Sequence, residues 1–463
     1  MQIIVGNKIR VIDYTPEILQ WCHENLVLDN PEYCKKERMG LWCGNIPKEI
    51  FLYEKNGNEL ILPFGCVGYL MRRGLSVKSS ILAPQRVKYA SHIKLYSYQE
   101  EAVQRAMDVR NGVIVMPCGS GKTQAALEVV ARLGVKTLWL THTQDLLNQS
   151  MNRAKSVLGC DVTSYGTITG GKVNIGSGLT FATVQTMSNI DLMQYRDAWG
   201  CVIVDECHKA VGSPTRVMQF YKVLSSLSCR YKFGLTATPK RADGLEQSMF
   251  ALLGGIIIEV SKDAVADTTC PVKVKQIETG YMPNLDMALA GDGTINYAGL
   301  VEDLTHDIQR FECVANVLEL LDGPTLVLGN RVEYLRRLQE EYDKRRQRFK
   351  PSICLSTLGN SKAAKRMRKN TLQALNDGEI GCVFATYQLA KEGLDVPNLR
   401  YVVFSTPEKD ETTVMQAAGR VGRKADGKPF GTVIDFIDDF GMYRGWTKKR
   451  ERYYRKLGYD ILT

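Results

Sequence analysis

Met116-Pro-Cys-Gly-Ser-Gly-Lys-Thr123 constrains this chain more than any other stretch. It follows the apolar run Gly112-Val-Ile-Val-Met116 and precedes the helix-forming run Gln124-Ala-Ala-Leu-Glu-Val-Val-Ala131. A buried strand, a glycine-rich turn and a helix make the layout of a phosphate-binding loop. Gly119 and Gly121 let the backbone turn tightly, so that its N–H groups surround an anion. The start of the following helix adds positive dipole at the same place. Lys122 offers a point charge to the outer phosphates, and Thr123 a hydroxyl to a magnesium ion. Met116, Pro117, Cys118, Gly119, Ser120, Gly121, Lys122 and Thr123 are therefore the expected nucleotide-binding residues. The strict motif begins with glycine where this chain has Met116.

A chain of 463 residues is too long for one ordinary domain. The hydrophobic fraction of 44% and charged fraction of 24% are those of a globular protein. A net charge of +10 favours a polyanionic partner, though weakly. The 13 cysteines form no Cys-x-x-Cys pair, which suits a reducing compartment. Cys22, His23, Cys34 and Cys43 fit no familiar zinc spacing. The N-terminus alternates like a strand and lacks the apolar core of a signal peptide. No run reaches the roughly 20 apolar residues that span a membrane. The expected location is cytoplasmic, or nuclear if the source has a nucleus, with no membrane partner.

Residues 1–90 show short apolar runs broken by turns and predict a small α+β accessory domain that could bind DNA. Lys55-Asn-Gly-Asn58, between Ile50-Phe-Leu-Tyr53 and Leu60-Ile-Leu62, predicts a hairpin. Thr15-Pro16 predicts a helix start. Lys35-Lys36-Glu-Arg38 and Arg72-Arg73 are either phosphate contacts or solvated faces. Residues 91–262 alternate wholly apolar strands with helical segments: Val113–Met116, Thr137–Leu140, Leu179–Ala182, Cys201–Val204 and Lys232–Leu235. Residues 263–440 repeat the alternation at Thr325–Leu328, Ser352–Leu355, Gly381–Ala385, Tyr401–Phe404 and Gly431–Asp435. Such runs imply parallel sheets covered on both faces, an α/β class. Residues 441–463 read as a basic C-terminal tail with interleaved aromatics, which either holds a DNA arm by charge and stacking or packs as a helix on the second core domain. Seven Lys/Arg face Glu451 and Asp460 there.

Cys201-Val-Ile-Val204 runs into Asp205-Glu206-Cys207-His208. A carboxylate at a strand end beside a phosphate loop holds magnesium, which fits Asp205. Glu206 is placed to orient or deprotonate an attacking water. His208 is expected to couple domains rather than act as a base. Gly234-Leu-Thr-Ala-Thr-Pro239 ends another strand in two hydroxyls, Thr236 and Thr238, suited to the same coupling.

The loop, the Asp-Glu-x-His box and Thr-Ala-Thr resemble motifs I, II and III of superfamily 2 helicases and translocases. The likeness runs in order over roughly residues 95–440. It implies two tandem RecA-like domains, ATP and Mg2+ as cofactors, and a nucleic-acid partner. By the same resemblance Gln99 in Leu95-Tyr-Ser-Tyr-Gln99 would read the adenine edge. The family's arginine is Tyr96 here, whose ring could stack on the base. Segments similar to the nucleic-acid motifs put Thr141, Thr183 and Gln185 on phosphates.

In the second half, Val414-Met-Gln-Ala-Ala-Gly-Arg-Val-Gly-Arg423 resembles motif VI. Gln416, Arg420 and Arg423 take its functional positions, the arginines on a glycine-punctuated helix start facing a γ-phosphate. Ala385–Pro397 resembles motif V, with Gly393 and Asp395 near the ribose and domain interface, and Thr386 near nucleic acid. Thr325–Arg331 resembles motif IV, with Arg331 a phosphate contact. Ser361–Lys369 carries five bases and no acid, either a nucleic-acid path or a solvated helix face. On this likeness the ATP site divides between the halves, and hydrolysis requires them to close.

Leu235-Thr-Ala-Thr-Pro-Lys-Arg-Ala-Asp-Gly244 and Tyr387–Asp395 look closest to DNA-repair translocases of the XPB type and to UvsW-like phage helicases. The resemblance implies an ATP-dependent DNA helicase or translocase that unwinds or branch-migrates forked or branched DNA in repair, recombination or replication. An RNA helicase, or an ATP-gated clamp that does not translocate, remains the alternative. A translocating restriction subunit is a lesser one.

Overall fold

The computed structural model describes residues 1–117, 119–159, 165–214, 217–241, 243–284, 295–345, 351–359, 361–391 and 396–462. The chain divides into two compact units. The first holds Met1–Pro117 and Gly121–Ser261, the second Lys262–Thr463.

The first unit carries an eight-stranded sheet. Its order is Lys172–Asn174, Tyr165–Thr169, Leu179–Thr183, Thr137–Thr141, Cys201–Val204, Tyr231–Thr236, Asn111–Val115 and Ile256–Glu259. All pairs are parallel except the first. The central strands are buried throughout, as their unbroken apolar runs require. Every strand expected from the sequence is present within two residues of its predicted bounds. The outer strands 165–169, 172–174 and 256–259 were not foreseen.

The N-terminal domain has its own core around Ile9, Val11, Leu60 and Leu62. It is a five-stranded sheet with the helices Pro16–Asn25 and Val67–Arg72. The predicted hairpin forms with a shifted register. Glu54–Asn56 pairs with Glu59–Leu62 through a two-residue turn, in which Gly57 adopts φ 59°. Ile50-Phe51 pairs instead with Val27-Leu28. The domain is seated at Gly65 on the C-terminal end of the helix Glu246–Leu253. A Cβ there would stand 2.3 Å from the Phe250 carbonyl oxygen, so only glycine allows the approach. Lys232, fully buried below the Phe64 ring, donates to the carbonyls of Leu224 and Leu227 at 2.8 and 2.9 Å. It thereby satisfies the C-terminal end of the helix Gln219–Ser226.

The second unit is a seven-stranded, wholly parallel sheet. Its order is Ser352–Cys354, Cys382–Thr386, Thr325–Gly329, Tyr401–Phe404, Gly431–Ile437, Val272–Glu278 and Asp460–Leu462. The expected basic tail is a built part of this unit. Its helix, Gly441–Lys456, buries Tyr443, Arg450 and Tyr454, and Asp460–Leu462 adds the edge strand. Tyr443 and Tyr454 are core residues, Trp446, Tyr453 and Tyr459 are half-buried against them, and Arg450 is neutralised by Asp435. No helix among the described residues is long and apolar enough to cross a membrane.

Candidate active site

The phosphate loop leaves the strand Asn111–Val115 and enters the helix Lys122–Leu133. Gly119 and Gly121 have φ of 82° and 77°, a region that disfavours any side chain. Gly121 is also crowded. A Cβ there would lie 2.4 Å from Gln99 Nε2, so the Gln99 amide packs directly on the loop. Gln99 is buried, and its Oε1 accepts from the Tyr96 N–H at 3.0 Å, which holds the start of the helix Ser97–Asp108. Tyr96 is 54% exposed and stacks on Tyr98, with ring centroids 5.7 Å apart. Met116 is fully buried and follows the strand. Lys122 and Thr123 open the helix and are half-buried. Cys118 lies outside the described residues.

Asp205 follows the buried strand Cys201–Val204. Its Oδ2 accepts from Ser150 at 3.3 Å and its Oδ1 from the Glu206 N–H at 3.0 Å. Burial and the neighbouring Glu206 charge push its pKa up, and Lys122 opposes them. Glu206 sits at φ 49°, and among the described residues only Asp13 shares a positive φ outside glycine. The left-handed turn ends the strand there and costs about 1–2 kcal/mol.

Past the turn, His208 is buried, with Nδ1 3.1 Å from Thr236 Oγ1 and 3.4 Å from Glu206 Oε2. Thr236 Oγ1 donates to the Thr238 carbonyl at 3.2 Å and accepts from the Thr238 N–H at 3.1 Å. Gly234 permits this apposition. A Cβ there would come 2.7 Å from Cys207 Sγ. Arg241, a residue given no role from sequence, is bidentate to Asp243 and donates to the His208 carbonyl. Ser150 was also missed. Both contacts depend on folding and leave no local pattern in the chain.

The donor set fits a magnesium–nucleotide pair: two left-handed glycines at a helix start, a lysine, a hydroxyl and a buried carboxylate. Thr123 and Asp205 would hold the cation, which neutralises phosphate charge when bound.

The residues expected to touch nucleic acid have varied settings. Thr141 is fully buried, and its hydroxyl donates to the Thr143 carbonyl at 3.0 Å. Thr183 is buried and donates to Thr186 Oγ1 at 3.0 Å. Both hydroxyls hold strand ends in this arrangement. Gln185 is exposed, and its amide donates to the His142 carbonyl at 2.7 Å, tying the two motifs together.

In the second unit, Thr386 Oγ1 accepts from the Leu389 N–H at 3.3 Å. Arg331 pairs with Glu302 at 3.5 Å, both largely open to solvent. Gly393 and Asp395 lie outside the described residues. Lys365, Arg366 and Lys369 are exposed on the helix Lys362–Asn376. The helix Glu411–Ala418 carries Gln416 and ends before the arginines. Arg420 and Arg423 therefore occupy a turn after a helix, not a helix start. Successive N–H groups from Arg420 to Arg423 bond three residues back, as the helix tightens and stops. Arg420 is buried and donates to the Ala390 carbonyl, while Arg423 is half-buried.

Two family models match the chain. One is described as "Type III restriction enzyme, res subunit", over residues 92–241, and one as "Helicase conserved C-terminal domain", over 309–425. They fall in order on the two sheets that carry the loop, the Asp-Glu-x-His turn and the arginine turn. The chain is a superfamily 2 helicase/translocase. Its matched domains are those of ATP-hydrolysing helicases.

"DNA 3'-5' translocase XPB2" of Sulfurisphaera tokodaii is 26% identical over 72% of this chain and 80% of its own length. "Putative ATP-dependent RNA helicase L396" of Acanthamoeba polyphaga mimivirus is 26% identical over 76% of this chain and 64% of its own length. "ATP-dependent DNA helicase uvsW" of Enterobacteria phage T4 is 22% identical over 92% of this chain and 86% of its own length. This helicase/translocase therefore falls close to the XPB and UvsW branch.

Proposed function

We propose that this helicase/translocase uses ATP hydrolysis to move on DNA and to unwind or branch-migrate forked or branched substrates, in repair, recombination or replication. The observation that carries the motor reading is the contact chain Glu206–His208–Thr236–Thr238. In this reading Glu206 activates the water, and its contact through the buried His208 imidazole to a second strand end is the link that coupling of hydrolysis to movement needs. In this reading Lys122 binds the outer phosphates, Glu206 orients the attacking water, and Arg420 and Arg423 stabilise charge on the transferring γ-phosphoryl. Gln416, Gly393 and Asp395 take the supporting positions of their motifs. Gln185, Arg331 and Thr386 are the phosphate contacts, with Thr141 and Thr183 shaping the strand ends that present them. The DNA preference rests on likeness to proteins named DNA translocase and DNA helicase. The likeness to the phage helicase covers 92% of this chain and so reaches into the N-terminal domain. An RNA substrate is the second reading, favoured by the relative named an RNA helicase. The expected location is the cytoplasm, or the nucleus in a nucleated source.

The test is ATPase rate without nucleic acid and with single-stranded DNA, linear duplex, forked and four-way DNA, and RNA. The rate should rise most with branched DNA, and Lys122→Ala should abolish turnover while DNA still binds. Stimulation by RNA alone would replace this reading with the second one.

A further inference from the structure

The N-terminal domain carries a projection that its own core does not explain. Val27–Asp29 and Glu49–Phe51 pair antiparallel as a short stalk. Between them stands the helix Pro31–Arg38, which has no buried residue. A short, strongly polar helix has little reason to hold its shape alone. Here its ends are fastened. Asn30 caps the start, its side chain accepting from the Glu32 N–H, and its own amide donates to the Pro47 carbonyl at 2.9 Å. At the other end Gly40, at φ 64°, donates to the Glu37 carbonyl and Leu41 donates to the Lys36 carbonyl, at 3.0 and 2.9 Å. That is a Schellman termination, which fixes the chain leaving the helix.

What this fixed turn presents is apolar. Met39 is 61% exposed, Leu41 52% and Trp42 87%. The Trp42 ring is backed on one side by Gly44, where a Cβ would come within 3.0 Å of Cζ3. Gly44 has φ 55°, and Ile46 donates to the Cys43 carbonyl to close the loop beneath it. The indole is thus supported from behind and open in front. Lys35, Lys36 and Arg38 lie in the last turn of the helix, next to this segment, with Glu37 among them, and Lys35 and Arg38 are exposed; Glu32 lies in the first turn, and Asp29, Lys48 and Glu49 belong to the stalk at the far end. An aromatic face offered to solvent beside cationic side chains matches a base with its flanking phosphates.

We infer that residues 27–51 form a base-stacking finger. The Trp42 ring covers the terminal base pair exposed where duplex DNA opens into single strands, and Lys35 and Arg38 take the adjoining phosphates. The inference rests on the DNA-remodelling reading for its biological sense, but its physical content is a nucleotide-free binding event. It assigns this domain the recognition of the branch, which neither the matched domains nor the motor motifs supply. A finger would engage an end or a fork and leave the interior of a duplex alone, because interior bases present no free face.

The experiment is a titration without ATP of a forked DNA carrying 2-aminopurine at the first paired position. A continuous closed-circular duplex and anionic phosphatidylglycerol vesicles serve as comparisons. Wild type should perturb the probe and bind the fork more tightly than the closed duplex. Trp42→Ala should lose that preference by roughly 10-fold or more, the effect of one base–aromatic stack, and Trp42→Phe should restore most of it. Intrinsic fluorescence of wild type less that of Trp42→Phe should be quenched by the fork. Full fork preference in Trp42→Ala, or quenching by vesicles and not by DNA, overturns the finger. If fork binding depends on Trp42 yet no DNA stimulates ATPase, the finger stands and the motor reading falls.

Discussion

His208 Nδ1 lies 3.1 Å from Thr236 Oγ1, joining the turn after one central strand to the end of the next. The same nitrogen is 3.4 Å from Glu206 Oε2. A single imidazole therefore touches both the group assigned to water and the hydroxyl assigned to coupling. Replacing the two carboxylate-side partners should have different signatures. Glu206→Gln keeps the shape and removes the base, so turnover should fall by about 10²–10⁴ with and without DNA. His208→Ala leaves the carboxylate and breaks the link, so the loss should fall mainly on the DNA-stimulated rate. Steady-state ATPase with and without single-stranded DNA separates them, and equal losses in both conditions for His208→Ala would remove its coupling role.

Gly234 predicts a stability effect at the same junction. The added methyl of Gly234→Ala would meet Cys207 Sγ and Leu253 Cδ1, both at 2.7 Å, inside a packed sheet. Overpacking of this kind costs about 1–3 kcal/mol. Thermal unfolding should show a lower midpoint. Gly119→Ala meets no atom within 4 Å. Its cost is only the left-handed backbone, about 1 kcal/mol, and its larger effect should be on nucleotide affinity.

Much of this site was legible in the chain, because its parts are local. The positive φ of two glycines, the carboxylates ending an apolar strand and the paired threonines each leave a short pattern. The contacts that tune them were not legible. Ser150 reaches Asp205 from a helix 55 residues away, and Arg241 reaches His208 over 33 residues. The periodicity of residues 441–463 was also ambiguous. Basic residues at every turn concealed that Arg450, Tyr443 and Tyr454 share a buried face. Charge and aromatics left a DNA-holding tail and a packed helix equally open; the pairing partner Asp435, which decides for the helix, lies on a strand, and composition cannot show that.

Acid should weaken the first unit. His142 is largely buried, and burial first, with the Lys209 charge second, pushes its pKa down to about 4. Burial likewise lowers His208. In the unfolded chain both take a proton near pH 6.5. Between pH 6.5 and about 4 the unfolded state binds more protons than the folded one, so stability falls as pH falls. Unfolding by denaturant at pH 7.5 and 5 should show the loss. His142→Gln, which cannot be protonated, should reduce the difference between the two. A pH dependence in the variant as steep as wild type would place its origin elsewhere.

The Arg450–Asp435 pair makes the last prediction. Arg450 Nε lies 2.9 and 3.0 Å from the two carboxylate oxygens, and both side chains are about 1% exposed. The guanidinium also donates to the carbonyls of Glu408 and Phe436 and to Thr447 Oγ1. Arg450 thereby fixes the C-terminal helix to the strand Gly431–Ile437 and to the segment before the helix Glu411–Ala418, which leads to Arg420 and Arg423. Arg450→Met should leave Asp435 buried without its cation and cost about 3–5 kcal/mol. Arg450→Met with Asp435→Leu removes both charges and should recover part of that loss, although the carbonyls stay unsatisfied. Chemical denaturation of the two variants measures it. If the C-terminal segment were a free basic tail, both would unfold like wild type, and only DNA binding would weaken.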